Sequence, residues 1–288
     1  MTKAKATLIG FVAVLLWSLL ALLTVKSAPT PPLLLNAICF AIGGVLGLVW
    51  TAAAGGLGQL RHVSWKIYAF GTIGLFGYHA LYFSALRLAP AAEAGLIAYL
   101  WPLLIVLLSG LLPGETLKPG HLIGAGLGFA GAALIITGGG GGFQAAHLPG
   151  YALALICALT WSGYSVLSRR LGDAPTSVVA VYCLATSVLS AGLHLLVEDT
   201  VWPPDATAWM ATIGLGLGPV GLAFYVWDLG VKRGDIQILG TSSYAAPLLS
   251  TLILVGVGIA APSWSLALAA LLITGGAALA ARASLTSR

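Results

Sequence analysis

The chain has 288 residues, of which 59% are hydrophobic and only 7% charged, with a formal net charge of +5 and a mean hydropathy of +1.01; a soluble domain carries roughly 25% charged residues. That composition excludes a water-soluble globule. The positive balance does not indicate nucleic acid either, because the basic residues stand singly or in pairs between apolar runs instead of clustering on a solvated face.

A helix needs about 20 apolar residues to cross the hydrocarbon core, and on that measure ten spans are predicted, at residues 6–25, 33–53, 66–87, 91–112, 119–137, 150–169, 176–196, 207–229, 236–258 and 264–281. The runs are too long and continuous for the alternating strands of a membrane barrel. Lys3 and Lys5 precede the first run as in a signal peptide, but Ser27-Ala28-Pro29 is a poor cleavage site, so this helix is expected to be retained. Trp17 and Ser18 fall mid-span in it. In the third span Tyr78 and Tyr82, four residues apart, share a helix face, with His79 beside them at mid-membrane, where an ionisable group marks function by default. The fourth span carries Tyr99-Leu100-Trp101-Pro102. The fifth carries a stripe of small residues, Gly120, Gly124, Gly128 and Ala132, suited to close helix approach. Gly138 to Gly142 read as a flexible linker, since no Gly-Lys-Ser/Thr follows to make a phosphate loop.

Trp161, Ser162 and Tyr164 lie mid-span in the sixth helix. His194, Glu198 and Asp199 mark the end of the seventh, where a metal site is not expected. Asp228 and Lys232 are spaced for an ion pair near the end of the eighth, and Glu93 is expected to reach solvent at the start of the fourth. Ser243, Tyr244 and Pro247 fall in the ninth. Cys39, Cys157 and Cys183 all lie inside spans and read as small apolar residues. Trp50, Trp65, Trp202, Trp209 and Trp264 stand near span ends, as interfacial anchors do.

An N-terminus in the cytoplasm places eleven of the 13 basic residues inside, leaving only Lys26 and Arg87 outside, which by the positive-inside rule predicts that both termini are cytoplasmic. The second half of the chain repeats the first. Tyr99-Leu100-Trp101-Pro102-Leu103-Leu104 aligns with Tyr244-Ala245-Ala246-Pro247-Leu248-Leu249, and Gly95 with Gly240; one residue out of that register, Trp17-Ser18 aligns with Trp161-Ser162. Five helices per half is an odd number, so a duplicated half enters the bilayer from the other side. The expected architecture is therefore an all-α polytopic membrane protein of two inverted five-helix repeats, residues 1–137 and 150–288, joined by a Gly-rich outer connection at 138–149. It also explains the two exceptional charges, Lys26 and Arg87, whose counterparts Arg170 and Lys232 lie inside.

Inverted repeats place a solute site near the midplane between the halves. Pro102 and Pro247 occupy equivalent positions there, and as kinks in continuous helices they would free the carbonyls of Ala98 and Ser243 and act as hinges. The residues expected to line the cavity are Trp17, Tyr78, His79, Tyr82, Tyr99, Trp101, Trp161, Tyr164, Ser243 and Tyr244. An intramembrane protease is disfavoured because Thr160-Trp161-Ser162-Gly163 lacks the first glycine of its motif. His-Glu-x-x-His and Walker motifs do not occur, so neither a metal, a cofactor nor an ATPase subunit is expected. A passive channel would show rings of charge or a carbonyl filter.

The opening Lys5-Ala6-Thr7-Leu8-Ile9-Gly10 leading to Leu16-Trp17-Ser18, the Tyr99-Leu100-Trp101-Pro102 string and the internal repeat resemble the drug/metabolite transporter superfamily, EamA type, and within it the bacterial inner-membrane exporters of aromatic amino acids. The resemblance implies a multi-pass inner-membrane exporter whose partners are the bilayer and small amino acids, notably Phe, Tyr and Trp, moved by alternating access through a central cavity. Another small metabolite or drug remains the alternative solute. No Arg or Asp waits at mid-span to pair a zwitterion, so selectivity is expected to be loose. His79 and Glu93 are the available proton carriers, which leaves proton antiport and facilitated diffusion both open.

Overall fold

A computed structural model describes residues 1–138, 144–171 and 174–285. The structure is helical throughout, and no β-strand occurs among the described residues. Its long helices are α1 (Lys3–Trp17 and Leu20–Lys26), α2 (Pro32–Ala53), α3 (Trp65–Leu88), α4 (Ala91–Ala98 and Trp101–Ser109), α5 (Pro119–Thr137), α6 (Leu148–Ser168), α7 (Val178–Val197), α8 (Ala206–Leu217 and Ala223–Arg233), α9 (Ile236–Ser242 and Ala245–Gly256) and α10 (Trp264–Leu285). Among the described residues nine segments are long and apolar enough to cross a membrane. The one that falls short is α3, whose Tyr68, Tyr78, His79, Tyr82 and Arg87 dilute its apolar average. It is nonetheless packed inside the bundle, against α6 and α7.

Helix ends follow local chemistry. Thr2 caps α1 by accepting from Lys5 N–H at 3.3 Å, Ser64 caps α3, and Asp205 and Asp235 cap α8 and α9, each satisfying an N–H that has no intrahelical partner. Gly138 ends α5 in the left-handed region at φ 60°, a conformation only glycine adopts without cost. The rest of the expected linker, Gly139 to Gly142, lies outside the described residues. The sixth helix starts at Leu148, two residues earlier than predicted, after a 3-10 turn at Ala145–His147.

Four helices expected to be continuous are interrupted. α1 breaks at Ser18–Leu19, α4 at Tyr99–Leu100 and α9 at Ser243–Tyr244, while α8 passes through a π turn at Gly218–Leu222. The prolines therefore do not kink running helices. Pro102 and Pro247 sit in the first turn of the second half of α4 and α9, where a missing N–H costs nothing. The Ser243 carbonyl is not freed: it accepts from Ala246 N–H at 3.1 Å.

The helix boundaries recur. Lys3–Lys26 as a unit is matched 145 residues later by Leu148–Leu171, Ala91 by Ile236 and Pro119 by Trp264 as helix starts, and Leu88 by Arg233 as helix ends. The most extensive helix pairings are α5 with α10, α2 with α7, α3 with α6 and α1 with the second half of α8, and the second half of α4 lies on the first half of α9. Glycine makes two of these contacts possible. A Cβ on Gly10 of α1 would stand 2.8 Å from Gly230 Cα of α8, and one on Gly124 of α5 would collide with the Gly276 carbonyl of α10. Gly120 and Gly124 of the small-residue stripe thus face α10, where Gly120 meets Ala283, while Gly128 of the same stripe meets Tyr244 at the break of α9.

Buried polar groups add specific ties. Asn36 of α2 donates to Ser190 Oγ of α7 at 2.8 Å, both buried. Asn36→Ala should lower stability by about 1 kcal/mol, the usual size of such a bond between membrane helices, read as a lower melting temperature in detergent; an unchanged melt would mean that the bond contributes nothing.

Candidate functional site

Nine of the ten residues proposed from sequence form one continuous run of aromatic rings through the bundle. Tyr82 stacks on Tyr78 at 6.2 Å with planes 8° apart; Tyr78 reaches His79 at 5.3 Å and Trp161 at 5.6 Å. Trp161 meets Tyr164 at 5.2 Å and Trp17 at 6.1 Å, Trp17 meets Trp101 at 5.9 Å, and Trp101 leads through Tyr99 at 6.0 Å to Tyr244 at 6.2 Å. Most pairs are edge-on or tilted, the arrangement ring quadrupoles favour.

The run has an open and a closed part. Tyr82 and Tyr99 line a cavity of about 350 Å³ with Ala91, Ala92, Gly95, Ile136 and Pro247. No charged side chain lines it. A Cβ on Gly95 would stand 3.7 Å from Ile136 and 3.9 Å from Tyr82 Oη, ordinary contact distances, so the wall has room for a methyl group there. A larger recess, about 460 Å³, lies between α1, α8 and the end of α9 and is lined by Leu22, Leu23, Lys26, Thr207, Met210, Ala211, Val257 and Ile259. It shares no residue with the aromatic run, so the smaller cavity is the better candidate.

The other members are engaged in structure in this conformation. Trp101, Trp161 and Tyr164 are buried. Trp17 donates its indole N–H to the Pro219 carbonyl at 3.1 Å, a group exposed by the π turn. His79 Nδ1 lies 2.8 Å from the Leu75 carbonyl; a carbonyl only accepts, so the proton is on Nδ1 and a neutral ring keeps Nε2 as an acceptor. Ser243 donates to Leu239 O at 2.7 Å. Tyr244 is fully buried, and its hydroxyl accepts the Leu103 N–H at 3.1 Å, the donor that a break before Trp101 leaves without its helical acceptor.

Trp227 is the member that sequence reasoning misses. It packs 5.1 Å from Trp17, 5.8 Å from Trp101 and 6.3 Å from Trp161, and donates to Ser165 Oγ at 3.1 Å. Phe224 stacks beside it on Phe40 at 5.4 Å. The repeat holds the signal: 145 residues separate Trp227 from Tyr82 and Phe224 from His79.

The end of the molecule remote from both recesses is shut by charge. Arg169 reaches Glu115 at 2.6 Å and donates to the carbonyls of Gly234 at 2.9 Å and Val231 at 3.2 Å; Lys3 reaches Asp235 at 3.3 Å and Glu115 at 3.8 Å. Thr7 Oγ1 accepts Asp235 N–H at 2.8 Å, and Gln237 donates to Thr116 O at 3.2 Å. These bonds join α1, the end of α6, α8, α9 and the α4–α5 connection. The expected Asp228–Lys232 pair is made at 2.9 Å and is buried. At the opposite end Glu93 does not reach solvent as expected; it is 8% exposed and accepts the Tyr151 hydroxyl at 3.0 Å. His194 and Glu198 pair at 2.9 Å, with Leu33 N–H and Arg87 on the same carboxylate. No group of three metal-binding side chains occurs among the described residues.

The sequence profile of the EamA-like transporter family matches residues 4–137 and 148–282. The chain belongs to that family. It is a transporter and not an enzyme, and its apolar helices make it a multi-pass membrane protein. Among curated relatives, an aromatic amino acid exporter YddG of Ancylobacter novellus is 56% identical over 283 residues, covering 97% of this chain and 98% of that one. The aromatic amino acid exporter YddG of Escherichia coli is 28% identical over 298 residues, covering 97% of each. A solved structure described only as a crystal structure of protein is 54% identical, with a TM-score of 0.92 over 97% of this transporter and 98% of that chain.

Proposed function

We propose that this transporter exports amino acids, aromatic ones foremost, from the cytoplasm across a bacterial inner membrane. The observation that carries the reading is the run of rings from Tyr82 to Tyr244, which opens on the recess lined by Tyr82 and Tyr99 in a bundle whose remote end is held by the Lys3–Glu115–Arg169 ion pairs. Such a path offers flat apolar surface to an aromatic body. The zwitterion meets only hydroxyls, backbone groups and His79, which suits broad selectivity. The 56% identity to a named aromatic amino acid exporter over nearly the whole of both chains supports the same substrate class.

The architecture behind it is ten crossings in two inverted halves, with α3 as the tenth and both termini cytoplasmic. Supporting this are the family match in two stretches, the helix boundaries that recur after 145 residues and the helix pairings. Exchanging α1 to α5 with α6 to α10 maps α5–α10, α2–α7 and α4–α9 onto themselves and turns α3–α6 into α1–α8. In this frame the recess lined by Tyr82 and Tyr99 faces outward and the Lys3–Glu115–Arg169 cluster closes the cytoplasmic end. Alternating access then proceeds by rocking about the breaks at Tyr99–Leu100 and Ser243–Tyr244, just ahead of Pro102 and Pro247.

The purified protein in liposomes loaded with labelled phenylalanine provides the test. Tyr78→Ala, His79→Ala and Tyr99→Ala should each slow efflux. Wild-type rates in all three would remove the site assignment, and no phenylalanine efflux from the wild type would remove the substrate. The same assay with and without a pH gradient separates antiport from facilitated diffusion. An impermeant thiol reagent on intact cells should label Gly140→Cys and spare Arg61→Cys; the reverse would overturn the orientation.

A further inference from the structure

The larger recess takes no part in the run of aromatic rings, yet its chemistry is specific. It lies where three helices begin or end: the last turn of α1 supplies Leu23 and Lys26, the first turns of α8 supply Thr207 and Met210, and the chain leaving α9 supplies Val257 and Ile259. Apart from Lys26 and Thr207 its walls are aliphatic or thioether, and no ring is among them. An aromatic solute finds no face to stack on here, whereas an alkyl chain finds continuous apolar surface. Met210, Val257 and Ile259 are 65%, 54% and 47% exposed, so the mouth of the recess is apolar too.

Its two polar groups stand at the rim, Lys26 being the last residue of α1 and Thr207 the second of α8. Both can donate, and among the described residues neither side chain has an ion-pair or hydrogen-bond partner. Arg87, the other basic side chain read at this end of the bundle, is already paired with Glu198 at 3.4 Å. Trp202, Trp209 and Trp264 are exposed at the neighbouring helix ends, the first two stacked at 6.4 Å. Tryptophans so placed mark the level of the lipid headgroups. An uncommitted ammonium therefore sits at headgroup depth above an alkyl-lined recess of about 460 Å³.

We propose that this recess binds one anionic phospholipid, its phosphate held by Lys26 and Thr207 and an acyl chain laid along the aliphatic wall. Charge complementarity selects the anion, and the wall selects the lipid over a free anion or an aromatic amino acid. The site touches α1, α8 and α9 together, so a bound lipid ties these three helix ends. The orientation proposed above puts it in the outer leaflet; the site itself does not depend on that orientation or on the substrate.

Native mass spectrometry of the full-length protein, released from detergent containing dioleoyl phosphatidylglycerol or dioleoyl phosphatidylethanolamine, provides the test. The wild type should retain one phosphatidylglycerol about fivefold more than phosphatidylethanolamine, the preference that one lysine beside an anionic lipid supplies. Lys26→Ala should bring the two lipids level, whereas Lys66→Ala, which removes an exposed lysine outside the recess, should not. Ala211→Leu adds bulk to the wall and should lower retention of both; Thr207→Val, expected to weaken phosphatidylglycerol alone, serves if that variant does not fold. Phosphatidylglycerol should also raise the melting temperature of the wild type more than that of Lys26→Ala. No change with Lys26→Ala, or an equal loss with Lys66→Ala, means the lipid is annular and overturns the site. Displacement by inorganic phosphate would reduce the site to an anion contact, and displacement by phenylalanine would make it a solute site; either overturns the proposal. A protein that moves no phenylalanine but binds the lipid as described loses the proposed substrate and keeps this site.

Discussion

Tyr99→Ala should reduce phenylalanine efflux from proteoliposomes by about tenfold. The residue is placed at a junction: it lines the open cavity, stands between Trp101 and Tyr244 in the aromatic run, and occupies the break of α4. Removing the ring takes away a stacking surface worth about 0.5–1.5 kcal/mol beyond its burial, and roughly 1.4 kcal/mol is tenfold in rate or affinity. Tyr99→Phe keeps the ring and loses one hydroxyl, whose net contribution of about 0.5–1 kcal/mol predicts a loss of only a few-fold. If alanine and wild type export at the same rate, the aromatic run is packing and not a path. Measuring phenylalanine beside leucine sharpens the reading, since the loss of a ring face should weigh more on the aromatic solute.

Gly124→Leu should destabilise the bundle by about 3 kcal/mol, the upper end of the usual cost of overpacking. The first atom of any side chain at this position falls on the Gly276 carbonyl, with Ala280 N at 3.1 Å and Ala280 Cβ at 3.2 Å beyond it. Most of those obstacles are backbone of α10, and no rotamer change clears them; the two helices must separate along their whole contact. Gly126, two residues on, has open space where a Cβ would stand, with nothing within 4 Å. Gly126→Leu should therefore leave the melting temperature unchanged or raise it, because glycine costs a helix about 1 kcal/mol relative to a good helix former. Equal losses at the two positions, measured by thermal unfolding in detergent, would show that helix propensity and not interhelical packing governs this face.

Both expectations draw on features partly visible in the amino-acid sequence. The stripe of Gly120, Gly124, Gly128 and Ala132 announces a close helix contact, since small residues at every fourth position allow little else; which helix meets it is not in the pattern. The aromatic and polar residues at mid-span are equally legible, because in an apolar run they stand out as costly or bulky exceptions. Trp227 is harder to single out, because it sits beside Asp228 near a basic span end and its partners Trp17, Trp101 and Trp161 are far away in the sequence. Glu93 reads as solvent-exposed for a similar reason: position along a helix says nothing of a tyrosine arriving from another helix 58 residues away.

Hydropathy by itself determined that this is an all-helical, multi-pass membrane protein, and strings that recur about 145 residues apart raised the expectation of an internal repeat with aromatic residues at its site. These follow from one-dimensional quantities: the length of an apolar run must match the bilayer, and a duplication keeps its spacing. Tertiary structure alone decided that the paired prolines begin half-helices instead of bending whole ones, that Tyr244 and Ser243 are bound to backbone while Tyr82 and Tyr99 face a cavity, and that Lys3, Glu115, Arg169 and Asp235 converge on one end. Tyr99 and Tyr244 are equivalent positions carrying the same side chain, so no pattern can say which one is exposed. That difference arises only in packing, which brings the Leu103 N–H to the Tyr244 hydroxyl and leaves Tyr99 beside a cavity.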